Sequence, residues 1–484
     1  MIAKIKRAEP LADLIEVRFD CLDNHQINFL IREIERGNFT RPLLATFRSS
    51  DQGGNNSATL ADRIAFWENS QIARFESVDV EEDVFDAVAE QQKRIVSFHD
   101  FDKVPEDLAN VFERLSSLNA DVVKIATRAD DITDSIPVWK FLEQTDKKIV
   151  SVAMGEAGKW TRILGLAHGV FLTYASLDEG DETADGQITA KDMIEAYRVK
   201  ELDKNTYVYG VIGDPVSSSK SPFMHNAAFA ASGINAVFLP LLVKNLDEFI
   251  RRMVAPETRE VELNFAGLSV TMPHKQTIMK HLDEIDETAK QIGAVNTVKI
   301  ENDKLIGYNT DAHGFITPLK KKFGDLKNAR VAVIGAGGAA RAVVYALKNE
   351  GADVTVMARD LQKAESFKKE FEVKLECLPI ANGQLPKAAD IVVNATPLGM
   401  TGELENASPL TADQLKGVKF VYDLVTRADD TPLVSDAKKA GIAAIGGLEM
   451  LIAQGVKQFE IWTGGEAPTD VMRQSVINRL TKNS

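Results

Sequence analysis

The first two hundred residues alternate short apolar, β-branched runs with longer stretches in which apolar positions recur at helical spacing. The runs are LIEVRF (14–19), LLATFR (43–48), ESVDVE (76–81), RIVSFH (94–99), DVVKIA (121–126), KIVSVAM (148–154) and VFLTYA (170–175). Glu106–Leu118 and Lys191–Val199 are examples of the helical stretches. Strand and helix alternating every 20–30 residues or so predict parallel βα units, and with no glycine-rich nucleotide turn among them a barrel is favoured. The pattern predicts seven strands rather than eight, with the chain starting inside the first helix of the barrel. Several strands end in a chargeable residue, namely Arg18, Arg48, Glu81, His99 and Lys124. The carboxyl ends of barrel strands are where such a fold builds its site.

A short polar junction at Asp203–Asn205 closes this region, and a strand resumes at Tyr207–Ile212. Asn235–Val243 and Gly267–Thr271 read as further strands, and VAVIGAGGAARAVVYAL, beginning at Val331, reads as strand, glycine turn and helix. DVTVMAR (353–359), IVVNAT (391–396) and FVYDLV (420–425) continue that second nucleus, and Leu448–Trp462 is a helix expected to return to the middle of the chain. The expected domains are a barrel over 1–203, a middle domain over 206–320 joined by the C-terminal helices of 448–484, and a Rossmann domain over 328–447.

Composition adds exclusions. With 484 residues, 44% hydrophobic and 26% charged, the chain is neither disordered nor a disulfide scaffold. A net charge of −14 argues against a nucleic-acid or anionic-membrane surface, though a few buried arginines can still hold a small anion. Cys21 and Cys377 lie far apart and suggest a reducing compartment. No apolar run has membrane-spanning length and Met1–Pro10 has no signal-peptide pattern, so a cytoplasmic location is expected. The seven histidines are scattered without ligand spacing, so no metal is expected.

The most specific local motif is Gly335-Ala-Gly337-Gly338-Ala339-Ala340, which follows four apolar strand residues and opens a helix. That context is what a dinucleotide site requires: Gly335 for the tight turn, Gly337 for close approach of the pyrophosphate, Ala340 in place of a third glycine. The next strand ends at Arg359-Asp360. An arginine there can clamp a 2′-phosphate, which favours NADP, whereas the neighbouring Asp360 is the residue type that holds the ribose of NAD. Upstream, Ser219 and Ser221 precede a helix, and Lys275, Asn296 and Asp311 are expected on three strand ends. Taken singly, the serines read more readily as a helix-entry turn and each of the others more often as a surface residue. Together they make a plausible cluster for a polyhydroxy acid.

From Tyr207 onward the chain closely resembles shikimate dehydrogenase, through GDPVSSSKSPFMHN, SVTMPHK, GAVNT, NTDAHG, GAGGAARA, NATPLGM and GGLEMLIAQ. The resemblance implies that Ser219 and Ser221 hold the substrate carboxylate, that Lys275 and Asp311 flank the reacting centre, and that Thr271, Asn296 and Gln454 bind hydroxyls. It also implies that Arg359 and Lys363 lie by the adenosine phosphate, with Asn394, Thr396, Met400 and Gly447 on the nicotinamide side. Lys275 can protonate an oxyanion and Asp311 can orient it.

The first half resembles type I 3-dehydroquinate dehydratase through EVRFD (16–20), TFRSSDQGG (46–54), SFHDF (97–101), VKIA (123–126), MGEAGKWTR (154–162) and ADGQI (184–188). By that resemblance Lys124 forms a Schiff base and His99 is the general acid and base. Glu16, Arg18, Arg48, Arg162, Thr183 and Gln187 are implied to hold the substrate. A lysine inside an apolar strand is costly to charge, which frees its amine for attack. The sequence departs from the family twice. Gln52 stands where many members carry the glutamate that serves the histidine, so a changed pH dependence is expected. The strand that members place before the helix of Ile2–Ala12 is missing, which leaves the edges of LIEVRF and VFLTYA open.

The expected protein is thus a bifunctional enzyme making shikimate from 3-dehydroquinate by way of 3-dehydroshikimate. A dehydrogenase of shikimate or quinate fused to an inactive, ligand-binding barrel is the alternative.

Overall fold

The computed structural model describes residues 1–484 apart from 38, 56, 379–388 and 483–484. The last two residues of the C-terminal segment 448–484 therefore lie outside the described residues. The chain divides into two compact units, one of Met1–Tyr207 with Leu239–Asn264, the other of Val208–Phe238 with Phe265–Ser484.

In the first unit six strands form one all-parallel sheet in chain order: β1 (Ile15–Arg18), β2 (Leu43–Thr46), β3 (Ser77–Glu81), β4 (Lys93–Asp100), β5 (Val122–Arg128) and β6 (Ile149–Met154). This is a half-barrel of the (β/α) type. Side chains alternate across its strands. One face meets the helices through residues such as Val17, Ala45, Val78, Val80, Val96 and Val123, while the other encloses Leu44, Ile95, Val122, Val150 and Val152. Leu14, Leu172 and Tyr174 pack on that inner group from the two sides of the opening.

The seventh expected strand, VFLTYA, is not one. Phe171 N–H donates to Ile149 C=O, after which the backbone turns to Ile188–Ala190 and makes a single bridge, Ser176 to Thr189. The segment contributes inward side chains without a ladder, so β1 and β6 are the sheet's edges. The N-terminal helix Ile2–Ala8 buries Ile5 and ties Lys4 and Arg7 to Asp181 and Asp178. Segment 239–264 groups with this unit because Asp131 accepts from the Lys244 and Asn245 N–H groups while Glu260 pairs with both Lys140 and Arg252.

The next sheet holds β7 (Tyr207–Gly213), β8 (Ala236–Leu242), β9 (Phe265–Val270), β10 (Glu284–Ile285), β11 (Thr297–Glu301) and β12 (Lys304–Tyr308), in the order β10-β12-β11-β9-β7-β8. The β11–β12 hairpin, absent from the sequence reading, turns on Asn302 and Asp303, both at positive φ. Asparagine and aspartate are the non-glycine residues that adopt that conformation most readily.

The third sheet comprises β13 (Arg330–Ile334), β14 (Asp353–Ala358), β15 (Lys374–Cys377), β16 (Ile391–Asn394), β17 (Phe420–Asp423) and β18 (Ala443–Ile445), all parallel, ordered β15-β14-β13-β16-β17-β18. Counted within the sheet this is the 3-2-1-4-5-6 order of dinucleotide-binding folds, with its switch point between β13 and β16. The helix Leu448–Thr463 does return to the middle sheet. Trp462 Nε1 donates to Val298 C=O, and the Gln458 amide donates to the hydroxyls of Ser269 and Thr297. No described helix is long and apolar enough to cross a membrane.

Candidate active sites

At the carboxyl end of the half-barrel one pocket is lined by Glu16, Arg18, Arg48, Gln52, His99, Lys124, Arg162, Tyr174, Thr183 and Gln187, among others. Every barrel residue named from the family motifs is there, whereas Glu81, singled out as a strand end, does not line it and is bound by Ser49 and Arg63 instead. The register explains why: Ser97 stands level with Glu81 on one side and Lys124 on the other, and two-residue steps place His99 and Lys124 on the inner face.

Three of these lining residues are joined by Asp79, fully buried, which accepts from Arg48 Nη2 at 2.7 Å, Lys124 Nζ at 2.7 Å and Tyr174 Oη at 3.1 Å, and also from Ser97 Oγ at 2.6 Å. Burial alone would raise this carboxyl, but Arg48 and Lys124 outweigh it and hold Asp79 ionised. Lys124 is 7% exposed, and its amine is pushed below its ordinary value by burial and by Arg48, against the opposing pull of Asp79. His99, open to the pocket on one side, is held well below the usual imidazole range by desolvation and by the charges of Arg48 and Lys124. It is therefore neutral near pH 7.

Gln52 occupies the place beside His99. Its Oε1 accepts from the His99 backbone N–H at 3.0 Å and lies 3.3 Å from Nδ1. An amide oxygen only accepts, so this contact requires the proton on Nδ1 and leaves the Nε2 lone pair basic. Arg162 completes the site differently. It is 3% exposed, and burial pushes it down to about 10; among the described residues its Nε has no partner and no carboxylate restores it. A buried guanidinium without a counter-charge is costly and suits an incoming carboxylate. Thr183 and Gln187 bond each other at the rim.

Sequence reasoning missed Asp79, Ser97 and Tyr174. For Asp79 a signal existed, since an acid at an inward position of the apolar strand SVDVE is as anomalous as Lys124 in its own. It also missed the clamp beneath the Arg48 loop, where Glu81 accepts from Ser49 N–H and Oγ and from Arg63.

The second site lies in the other unit. Lys275 Nζ donates to Asp311 Oδ2 at 2.5 Å, and Asn296 Nδ2 donates to Asp311 Oδ1 at 2.8 Å. The three residues meet, but not on three strand ends. Lys275 sits in the turn after β9, Asn296 directly precedes β11, and Asp311 is the first residue of the helix Asp311–Phe323. The loops between elements supply the reach that strand ends lack. Gln454 is brought alongside because Gly314 has no Cβ; one there would come within 2.6 Å of the Gln454 Cβ. Thr271 lies against Gly213, where the loop toward Ser219 departs. Ser221 opens the helix Ser221–Ala231 and its N–H donates to Ser219 Oγ, so the two serines flank a helix start rather than an extended segment.

The glycine turn behaves as its spacing predicts. Gly335 has φ +116° and approaches Ala395 C=O and Thr396, so its turn touches the loop after β16 at the switch point. A Cβ on Gly337 would meet no protein atom at the start of the helix Gly338–Asn349, and that free space fits a pyrophosphate. Ala339 and Ala340 continue the helix, and the Lys275 stem lies close to Gly338. Arg359 and Lys363 are exposed beyond β14, at the same edge. Asp360 is engaged as the N-cap of the following helix, accepting from the Gln362 and Lys363 N–H groups. Its Oδ1 is thus engaged by the helix start, while the Arg359 and Lys363 side chains stand exposed beside it. Asn394 accepts from Thr396 N–H and Oγ1, while its amide donates to Leu398 C=O and to Asp423, fixing the loop that leads to Met400. Gly447 N–H donates to Val425 C=O ahead of the last long helices.

The folds and the two clusters define an enzyme with two centres, one presenting a buried amine and the other a dinucleotide turn beside a lysine–aspartate pair. Comparison with known families agrees. Residues 1–204 match type I 3-dehydroquinase, 211–298 the shikimate dehydrogenase substrate binding domain, 318–415 shikimate/quinate 5-dehydrogenase, and 447–477 the shikimate 5′-dehydrogenase C-terminal domain. A chloroplastic bifunctional 3-dehydroquinate dehydratase/shikimate dehydrogenase of Arabidopsis thaliana is 34% identical over 98% of this chain and 81% of its own length. An NADP(+) shikimate dehydrogenase of Methanopyrus kandleri is 40% identical over 58% of this chain and 98% of its own. A crystal structure of a shikimate dehydrogenase in complex with NADP+ superposes with a TM-score of 0.52 at 38% identity, over 58% of this chain and 97% of that one. The chain belongs to the family of bifunctional type I 3-dehydroquinate dehydratase/shikimate dehydrogenases.

Proposed function

We propose that the chain dehydrates 3-dehydroquinate to 3-dehydroshikimate at the Lys124 pocket and reduces that ketone to shikimate at the Lys275–Asp311 site, two consecutive steps of the shikimate pathway. The domains doing this work are 1–203 for dehydration, 206–320 with 448–484 for binding the second substrate, and 328–447 for NADP. In the first step the Lys124 lone pair bonds the ketone carbon and water leaves, giving an iminium. His99 Nε2 removes the adjacent proton, and the same group, now protonated, assists departure of the hydroxyl as water. Hydrolysis of the imine returns the amine and releases product. Arg162 takes the carboxylate, and Arg18, Arg48, Glu16, Thr183 and Gln187 hold the ring.

In the second step NADPH supplies the hydride. Lys275 gives the proton to the developing alkoxide and Asp311 orients it, while Ser219 and Ser221 hold the carboxylate and Thr271, Asn296 and Gln454 the hydroxyls. Arg359 and Lys363 hold the adenosine phosphate, with Asn394, Thr396, Met400 and Gly447 beside the nicotinamide. Both cysteines are exposed and unbridged, which is in keeping with a reducing, cytoplasmic setting.

The observation that carries this reading is the pocket that joins a buried lysine to a buried arginine for which the described residues offer no counter-ion. Borohydride reduction in the presence of 3-dehydroquinate, followed by peptide mass mapping, tests it. The expected result is a ligand-sized adduct on Lys124. A chain that oxidises shikimate with NADP yet forms no adduct has a barrel that binds without catalysing.

A further inference from the structure

We infer that Tyr174 is a positioning residue for the Lys124 amine, holding Nζ between its ring face and the carboxylate it shares with that amine. The inference rests on the imine reading above. Lys124 Nζ lies 3.9 Å from the centroid of the Tyr174 ring, while Tyr174 Oη donates to Asp79 Oδ2, the very oxygen that accepts from Nζ. One residue therefore meets the amine twice, directly through its π face and indirectly through the carboxylate.

The geometry matters because a neutral amine has two N–H bonds and one lone pair. Asp79 Oδ2 accepts one N–H and the electron-rich ring face attracts the other. With both hydrogens directed to the protein, the lone pair is left pointing away from both partners, as attack on a carbonyl carbon demands. A ring alone would supply the face, and a hydroxyl alone would supply the bond to Asp79. Tyrosine supplies both from a segment that has no ladder of its own to fix it. Tyr174 remains a donor because desolvation and the charges of Asp79 and Glu16 hold its phenol protonated.

The groups that face Nζ come from several elements: Asp79 on β3, Arg48 from the end of β2, Glu16 on β1 and His99 on β4, with Arg18 and Arg162 at the pocket wall. Of these, Asp79 is the one whose pull on Lys124 the phenol moderates. A carboxylate that donates part of its electron density to a hydroxyl is a weaker partner for an ammonium.

The test uses the full chain in two variants. Tyr174→Phe keeps the ring and frees Asp79 Oδ2, so the pH at which borohydride trapping with 3-dehydroquinate is half-maximal should rise, by about one unit. Tyr174→Leu removes the ring as well, and trapping should slow by roughly tenfold to a hundredfold. Phenylalanine should rescue most of that rate without restoring the pH profile. Shikimate oxidation with NADP should be unchanged in both, and a wild-type melting profile shows that the barrel has folded. If wild type traps on Lys124 while both variants trap at its rate and with its pH profile, Tyr174 is merely packing and the inference fails. If wild type does not trap at all, it is the imine reading that fails.

Discussion

The two active sites use a lysine beside an aspartate in opposite ways. In the barrel, Lys124 is 7% exposed and its partner Asp79 is wholly buried and shared with Arg48, Ser97 and Tyr174; Lys124, Asp79 and Ser97 sit on strands whose register the sheet dictates. In the dehydrogenase, Lys275 stands in a turn with 18% of its side chain exposed and Asp311 starts a helix. The first lysine must lose its proton to act as a nucleophile, so burial and a neighbouring arginine work in its favour. In the proposed second reaction Lys275 gives a proton instead, from a turn that leaves 18% of its side chain exposed. The same pair of residue types is thus assigned opposite chemistry, the lysine being more deeply buried in the first site than in the second.

Replacing each lysine in turn should separate the centres most sharply. Lys124→Met should abolish both the borohydride adduct and dehydration while shikimate oxidation continues. Lys275→Ala should lower kcat for shikimate by about 10²–10³-fold and leave the adduct untouched. If either substitution silenced both assays, the independence of the two sites would be refuted.

Acid should act on the dehydrogenase unit through His225, which is fully buried in the helix Ser221–Ala231. Its Nδ1 has no partner, its other ring nitrogen meets Gln458, and burial pushes it down to about 3 from 6.5. A histidine neutral in the fold but protonated when unfolded stabilises fully above pH 6.5 or so. That contribution falls by about 1.4 kcal/mol per unit as the pH drops toward 3. Thermal melts of wild type and His225→Gln across that window should converge as the pH falls.

A smaller effect distinguishes the two motif glycines. Gly337→Ala places its methyl where the protein has no atom, so melting should be unchanged while the KM for NADP rises about tenfold. Gly335→Ala, at φ +116° and against Ala395, should lower the melting temperature as well. Equal effects of the two on stability would show that the space over Gly337 is not reserved for the cofactor.

The smallest change tested is Gln52→Glu. A carboxylate beside Nδ1 would raise the His99 pKa, so the acid limb of dehydration should move to higher pH by about a unit. An unmoved pH–rate profile would mean that Lys124 alone sets the limb.

How far the sequence could be read depended on the range of the interactions involved. The glycine turn, the strands around it and the inward placement of His99 and Lys124 follow from local rules: a φ that only glycine tolerates easily, and a side-chain period of two. For that reason each barrel residue named from its motif is found in one pocket. VFLTYA was misread because its apolar run has strand composition, whereas a strand needs a partner ladder and this segment has only one bridge. The β11–β12 hairpin went unseen because Asn302-Asp303 is a turn only when its flanks pair.

The local sequence determined which residues could be nucleophile, base and phosphate cradle. Tertiary structure alone decided their protonation. Asp79 and Tyr174 stand 95 residues apart and Asp79 and Lys124 45 apart. Desolvation and Coulomb attraction depend on distances in space, so no reading along the chain could assign the proton.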